Sequence, residues 1–287
     1  MTSPTFLLTQ ALNSLSLAAL LFFVAAGLTL IFGLMNVINL AHGSYYLLGG
    51  LIGHSTIQAT GQFWVGVLAA AAATAAFGSA TERVLMRRVR GEELPQVLLT
   101  LGVTLVVADL ATVVWGGQMT MIRQPDFLGG VQWIGSLPYS RYRLFVIVCS
   151  IVLAAVLYYL HRRTRLGALI RAGVDDREMV AALGINIRRV FTLAFGFGTA
   201  LAGVGGVIAG AVLGLQPGEE ADILLLSLAV VIIGGVGRLD GTIIGCVLVG
   251  FITIFGRTYA PEFSYFILFG PMALILVFRP RGLLGRK

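Results

Sequence analysis

Residues 36–46 read NVINLAHGSYY and lie within a long apolar stretch. Asn36, Asn39, His42 and Tyr46 fall at spacings of three, three and four. On a helix they share one face, which Gly49 and Gly53 continue. Ser44 and Tyr45 add two hydroxyls. Polar groups inside an apolar segment can serve as hydrogen-bonding glue between helices, worth about 0.6–2 kcal/mol per contact. They can also line a substrate path, or hold a broken helix beside one. A lone histidine is a thin basis for a proton relay. His42, His54 and His161 have no cluster of further ligands that would make a metal site.

The carboxylates give a second set. Asp109 lies about seven residues, roughly 10 Å, from the outer end of its apolar segment. A charge near the membrane centre costs about 2.5–3.5 kcal/mol on insertion scales, so Asp109 needs a structural partner or a place on a path. Glu219, Glu220 and Asp222 follow Gln216-Pro217-Gly218 and read as a solvated outer loop. Cys149 and Cys246 lie in apolar runs as small packing residues, with no disulfide framework or metal-ligand spacing. No GxxxxGK[ST], HExxH, GxSxG or CxxC pattern occurs, and the single lysine is Lys287. Without a P-loop lysine to reach a phosphate, the chain is not expected to hydrolyse ATP or to act as an enzyme.

The elements that must carry these residues are membrane helices. Of 287 residues, 57% are hydrophobic and 11% charged, against about 45–50% and 25% in soluble domains. Crossing about 30 Å of hydrocarbon takes about 20 apolar residues. Nine segments qualify, at about 11–34, 36–57, 62–85, 95–116, 142–160, 190–214, 222–236, 241–256 and 262–278. Segments seven and eight are short, which marks them as tilted, broken or re-entrant. Strand-like alternation is missing, which argues against a β-barrel. The net charge of +7 is explained by sidedness, without a nucleic-acid partner. Sixteen of the 20 basic residues cluster on one set of connections, from Arg83 to Arg90, through 161–189, at Arg238 and in the tail. Arg123, Arg141, Arg143 and Arg257 lie on the other. The positive-inside rule makes the first set cytoplasmic. MTSPTFLLTQ has no basic residue before the first apolar run, so a cleaved signal is not expected. The expectation is one all-α polytopic bundle of about nine spans (eight to ten), N-terminus out and C-terminus in. That orientation places NVINLAHGSYY at the cytoplasmic start of segment two.

Small residues recur every fourth position at Gly198, Ala202, Gly206, Gly210 and Gly214, and again at Gly237, Gly241 and Gly245. Such rows let backbones approach closely, in a static or a moving interface. The 161–189 connection, HRRTRLGALIRAGVDDREMVAALGINIRR, is more than a linker. Asp175 or Asp176 can cap a helix that runs through DREMVAAL and stops at Gly184. Met179, Val180 and Leu183 then form an apolar face, and Leu166, Leu169 and Ile170 a second cluster. That face must be buried on the membrane, on the underside of the bundle or in a partner's groove.

The chain resembles the permease subunits of branched-chain amino acid ABC transporters. Four stretches carry the resemblance, in order: GLTLIFGLMNVINLAHGSYYLLGG; GALIRAGVDDREMVAALGIN with AFGFGTALAGVGGVIAG; VIIGGVGRLDGTIIG; and FRPRGLLG. The resemblance implies a coupling helix spanning Arg177, Glu178, Met179, Val180, Ala181, Ala182, Leu183 and Gly184. Val180 to Gly184 match part of an EAA-type pattern, but its usual glutamate is absent and Glu178 lies two positions before Val180. It further implies a second permease subunit, more often different than identical, and two ATPase subunits that use ATP and Mg. A periplasmic binding protein would dock near Glu219, Glu220 and Asp222. The implied location is the bacterial inner membrane. The implied substrate is a branched-chain amino acid, with urea, amides or aromatic acids as alternatives within the family. An ion-coupled secondary transporter and a channel are the rival classes.

Overall fold

The structure is a computed structural model that describes residues 3–35, 39–89, 91–175, 177–182, 184–279 and 282–284. Helix α1, Pro4–Met35, contains no charged residue and is apolar on all sides over most of its length. Such a helix is stable only when surrounded, and its stretch from Ala18 to Ile31 is largely buried. Its 32 residues reach about 48 Å, longer than the hydrocarbon is thick. Helix α8, Ile187–Gly210, is the second buried axis. Around these two pack α2 (His42–Thr60), α3 (Phe63–Val84), α5 (Arg141–Arg163), α9 (Glu219–Gly234) and α10 (Leu239–Tyr259). Helix α4, Glu93–Trp115, lies outside α2, and α11, Ser264–Phe278, lies outside α9 and α10. Among the described residues each apolar segment falls mainly on a helix. Six of these helices are long and apolar enough to cross a membrane alone: α1, α3, α4, α5, α8 and α10. Helices α9 and α11 are shorter, and α2 carries glycine, histidine, serine and glutamine along its length. The protein is a polytopic all-α bundle.

The helices define two ends. One end gathers the arginines of the turn after α3, the last turn of α5 and the first turn of α8, with α6 (Arg165–Asp175) and α7 (Arg177–Ala182) lying there. The other carries a small antiparallel hairpin, β1 (Val131–Ile134) and β2 (Leu137–Ser140), with Ile134 paired to Leu137. Asn13 of α1 fixes that hairpin, accepting hydrogen bonds from Tyr139 Oη at 3.4 Å and Arg143 at 3.0 Å. Two sequence expectations change. The 161–189 connection holds two helices instead of one, because the Leu169 region is helical in its own right as α6. The glycine rows end early: α8 stops at Gly210 and α10 starts at Leu239, so Gly214 and Gly237 lie in connections with positive φ.

Within their helices the remaining small residues make the close approaches that their spacing predicts. A Cβ at Gly49 would collide with the Gly203 Cα, one at Gly27 with the Gly198 carbonyl, and one at Gly241 with Gly234. These contacts lock α2 and α1 to α8, and α10 to α9.

Candidate translocation and coupling sites

The chain between α1 and α2 turns back into the bundle. His42 Nε2 lies 2.9 Å from the Val24 carbonyl oxygen. Val24 is eleven residues before Met35, the last residue of α1, or about 16 Å along its axis. The Leu40 N–H finds no backbone acceptor among the described residues. It donates instead to Thr100 Oγ1 at 3.2 Å, while Thr104 Oγ1 donates to the Leu40 carbonyl at 3.1 Å. Thr100 and Thr104 stand seven and eleven residues into α4, about 10 and 16 Å from its start. Asn39 Oδ1 accepts from the Ala41 N–H at 3.1 Å. Non-helical backbone at that depth is tolerated only when buried in protein and supplied with partners. Threonine hydroxyls from α4 and the Asn39 amide supply them. Helix α2 therefore begins inside the bundle, so Asn39 lies deeper than the interface position that the segment boundaries imply.

Beside it α9 also starts deep. A Cβ on Gly43 would strike the Glu220 carbonyl, so the first turns of α2 and α9 cross in contact. With 16 residues α9 is about 24 Å long, short of a full crossing. Two helices thus start side by side within the protein, the arrangement of discontinuous helices in transporters.

The predicted polar stripe packs inward. Asn39, His42, Ser44, Tyr45 and Tyr46 are all buried, Tyr46 against Gly206 of α8 and Tyr45 in edge contacts with Phe77 and Phe195. Their geometry is that of groups holding an interrupted helix to α1 and α8. Asn39 Nδ2, His42 Nδ1 and Ser44 Oγ are buried without a hydrogen-bond partner among the described residues. Asn36 lies outside those residues. Asp109, by contrast, sits on the exposed side of α4.

The acidic trio is not a solvated loop. Glu219, Glu220 and Asp222 form the first turn of α9. Glu220 is buried and accepts from the Gly218 N–H at 2.7 Å, because a carboxylate there satisfies an otherwise open helix start. Asp222 is exposed.

At the arginine-rich end, Val180 of α7 is buried, while Met179 is 60% exposed and Ala182 is exposed too. Arg177, Glu178 and Ala181 belong to α7; Leu183 and Asp176 lie outside the described residues. Gly184 ends α7 at φ 78°, a left-handed conformation that glycine adopts without strain. Asn186 then caps α8, its side chain accepting from the Arg189 N–H. One turn further on is a cluster that sequence reasoning missed. Glu82, fully buried at the end of α3, accepts from Thr192 Oγ1 of α8 at 2.6 Å and pairs with Arg87 Nε at 3.3 Å. Arg87 also donates to Thr192 Oγ1 and to the Arg188 carbonyl. A glutamate at the rim of an apolar segment beside arginines looks like part of a charged loop. Its signal was the position of Glu82 before that rim, within the apolar segment.

A helical membrane bundle with two helices starting inside it, and an amphipathic loop pair at its basic end, is the architecture of a transport protein. The sequence pattern of the family described as branched-chain amino acid transport system / permease component matches residues 10–276, and the chain belongs to that family. It is 29% identical to the high-affinity branched-chain amino acid transport system permease protein BraD of Pseudomonas aeruginosa, over 97% of this chain and 96% of that one. It is 28% identical to the corresponding LivH of Escherichia coli K12, over 98% and 96%. It is also 30% identical to the ribose import permease protein RbsC of Escherichia coli K12, over 87% and 78%.

Proposed function

We propose that this chain is the membrane-spanning subunit of an ATP-driven importer in the bacterial inner membrane. A second permease subunit pairs with it, two ATPase subunits bind its arginine-rich end, and a periplasmic binding protein delivers solute to the hairpin end. That orientation puts the N-terminus outside and the C-terminus inside, in accord with the basic residues. The observation that carries the reading is the α6–α7 pair. It presents Met179 outward, buries Val180, and runs through Gly184 directly into α8, whose first turns are tied to α3 by Glu82. A helix pair so anchored turns a push from an ATPase into motion of the central bundle.

The inward-facing Asn39, His42, Ser44, Tyr45 and Tyr46 hold the re-entrant start of α2 beside the path. Asp222 and Glu219 are the acidic contacts for the binding protein, while Glu220 secures the start of α9. The substrate is a branched-chain amino acid, in line with the names of two relatives. A ribose permease also matches, at 30% identity over less of each chain, and urea, amides and aromatic acids are the alternatives within the family.

The test is co-purification. Met179→Asp should leave the chain in the membrane and lower recovery of the ATPase subunits by about tenfold, as expected for a charge placed in an apolar contact. Undiminished recovery would place the ATPase contact elsewhere.

A further inference from the structure

Helix α4 buries a single stripe, Gln96, Thr100, Val107 and Ala111, on the side that faces α2, the turn before it and the 3-10 turn Met86–Val89. On the opposite side Leu98, Gly102, Leu105, Asp109 and Val113 follow at spacings of four, three, four and four. All five are exposed, Val113 to 83%, and a side chain added at Gly102 would meet open space. Lipid covers leucine and valine without penalty, so exposure alone says nothing about a partner. Asp109 is different. It stands six residues before Trp115, about 9 Å along the axis, in a helix apolar and long enough to cross the membrane. Trp115 marks the interface level, with its indole N–H 2.7 Å from Ser55 Oγ. Among the described residues no hydrogen bond or ion pair reaches Asp109. The exposed faces of α3, α5 and α11 show Trp64, Leu68, Val152, Val156, Phe266 and Val277 and place no acid between their end turns. They suit lipid, and the α4 face does not.

We propose that this face of α4 is the contact with the second permease subunit, and that the partner's helix sets a hydrogen-bond donor, an amide or a guanidinium, against Asp109. Two features select that occupant. An intramembrane carboxylate persists where it is paired or faces the interior of an assembly. Gly102, two turns before Asp109 on the same seam, lets a second backbone come close. The inference rests on the reading of a two-permease assembly and adds its location. A symmetric α4 pair would bring two Asp109 carboxylates towards one axis, so the donor belongs to a chain of different sequence.

The experiment uses cell membranes holding the complete transporter. A photo-crosslinking residue is placed at Leu98, Leu105 or Val113, and as controls at Phe266 and Val277. The α4 positions should form an adduct with the second permease, and the α11 positions should not. In parallel, Asp109→Leu should lower co-purification of the second permease about tenfold or more. Asp109→Asn, which keeps an acceptor, should lower it less. Lipid adducts alone from α4, or a permease adduct from α11, would overturn the assignment. So would equal recovery with Asp109→Leu. If no second permease accompanies the wild-type chain, the two-permease reading itself fails, which separates the two results.

Discussion

Single residues decide whether this bundle closes. Glu82 is the sharpest case, because its carboxylate is fully buried and bonds both to Arg87 on a 3-10 turn, Met86–Val89, and to Thr192 on α8. Removing one member of a buried pair strands the other. Glu82→Ala should therefore cost about 3 kcal/mol, the low end for such changes because Arg87 is partly exposed. Glu82→Gln, which can still accept from Thr192, should cost less. Thermal unfolding in detergent reads both, and an unchanged midpoint for Glu82→Ala would show that the cluster is not structural. Gly203 makes a complementary case, one of volume. A valine there would strike the Thr74 side chain. Overpacking of this kind costs about 1–3 kcal/mol or more, and Thr74, itself buried and bonded to the Ala70 carbonyl, has little room to relax. Gly203→Val should yield little folded protein, whereas Gly102→Val should express normally when this chain is produced alone.

At the scale of elements, the interrupted start of α2 depends on α4. Thr100→Val together with Thr104→Val would remove the partners of the Leu40 N–H and carbonyl. Each group left unsatisfied costs about 1–3 kcal/mol. Amide hydrogen exchange should rise at residues 39–42 and stay unchanged in α10; equal protection in the variant would show that these hydroxyls are dispensable. The second element-level case is the joint between α7 and α8. Gly184→Val forces a β-branched residue to φ 78°, with open space around it, so the penalty is backbone strain of about 1–2 kcal/mol at one joint. The spans should remain intact while solute-stimulated ATP hydrolysis by the partner subunits falls to its unstimulated rate. Full stimulation would remove the joint from the coupling route. Much of this was readable in sequence. Apolar length located the long helices of the bundle, and four-residue spacing located the helix contacts at Gly198, Gly206 and Gly241. Asp109, a single acid in a strong apolar run, stood out at once. What spacing could not supply was depth. Hydropathy cannot tell that residues 39–41 fold back into the bundle, since the threonines that make this possible sit 60 positions away on α4. Nor could a run of three acids reveal that Glu220 turns inward while Asp222 faces out, because that depends on how α9 crosses α2.

For the whole molecule, the proposed function joins the buried axis of α1 and α8, the two deep helix starts and the basic end with α6 and α7 into one machine driven from partner subunits. The most direct test is uptake in sealed proteoliposomes holding this chain, its second permease and the ATPase subunits, with the binding protein and radiolabelled leucine outside and ATP inside. The account predicts accumulation above the external concentration that requires ATP, and that disappears when either the ATPase subunits or the binding protein is left out. Accumulation driven by an ion gradient with this chain alone, without ATP, would contradict it.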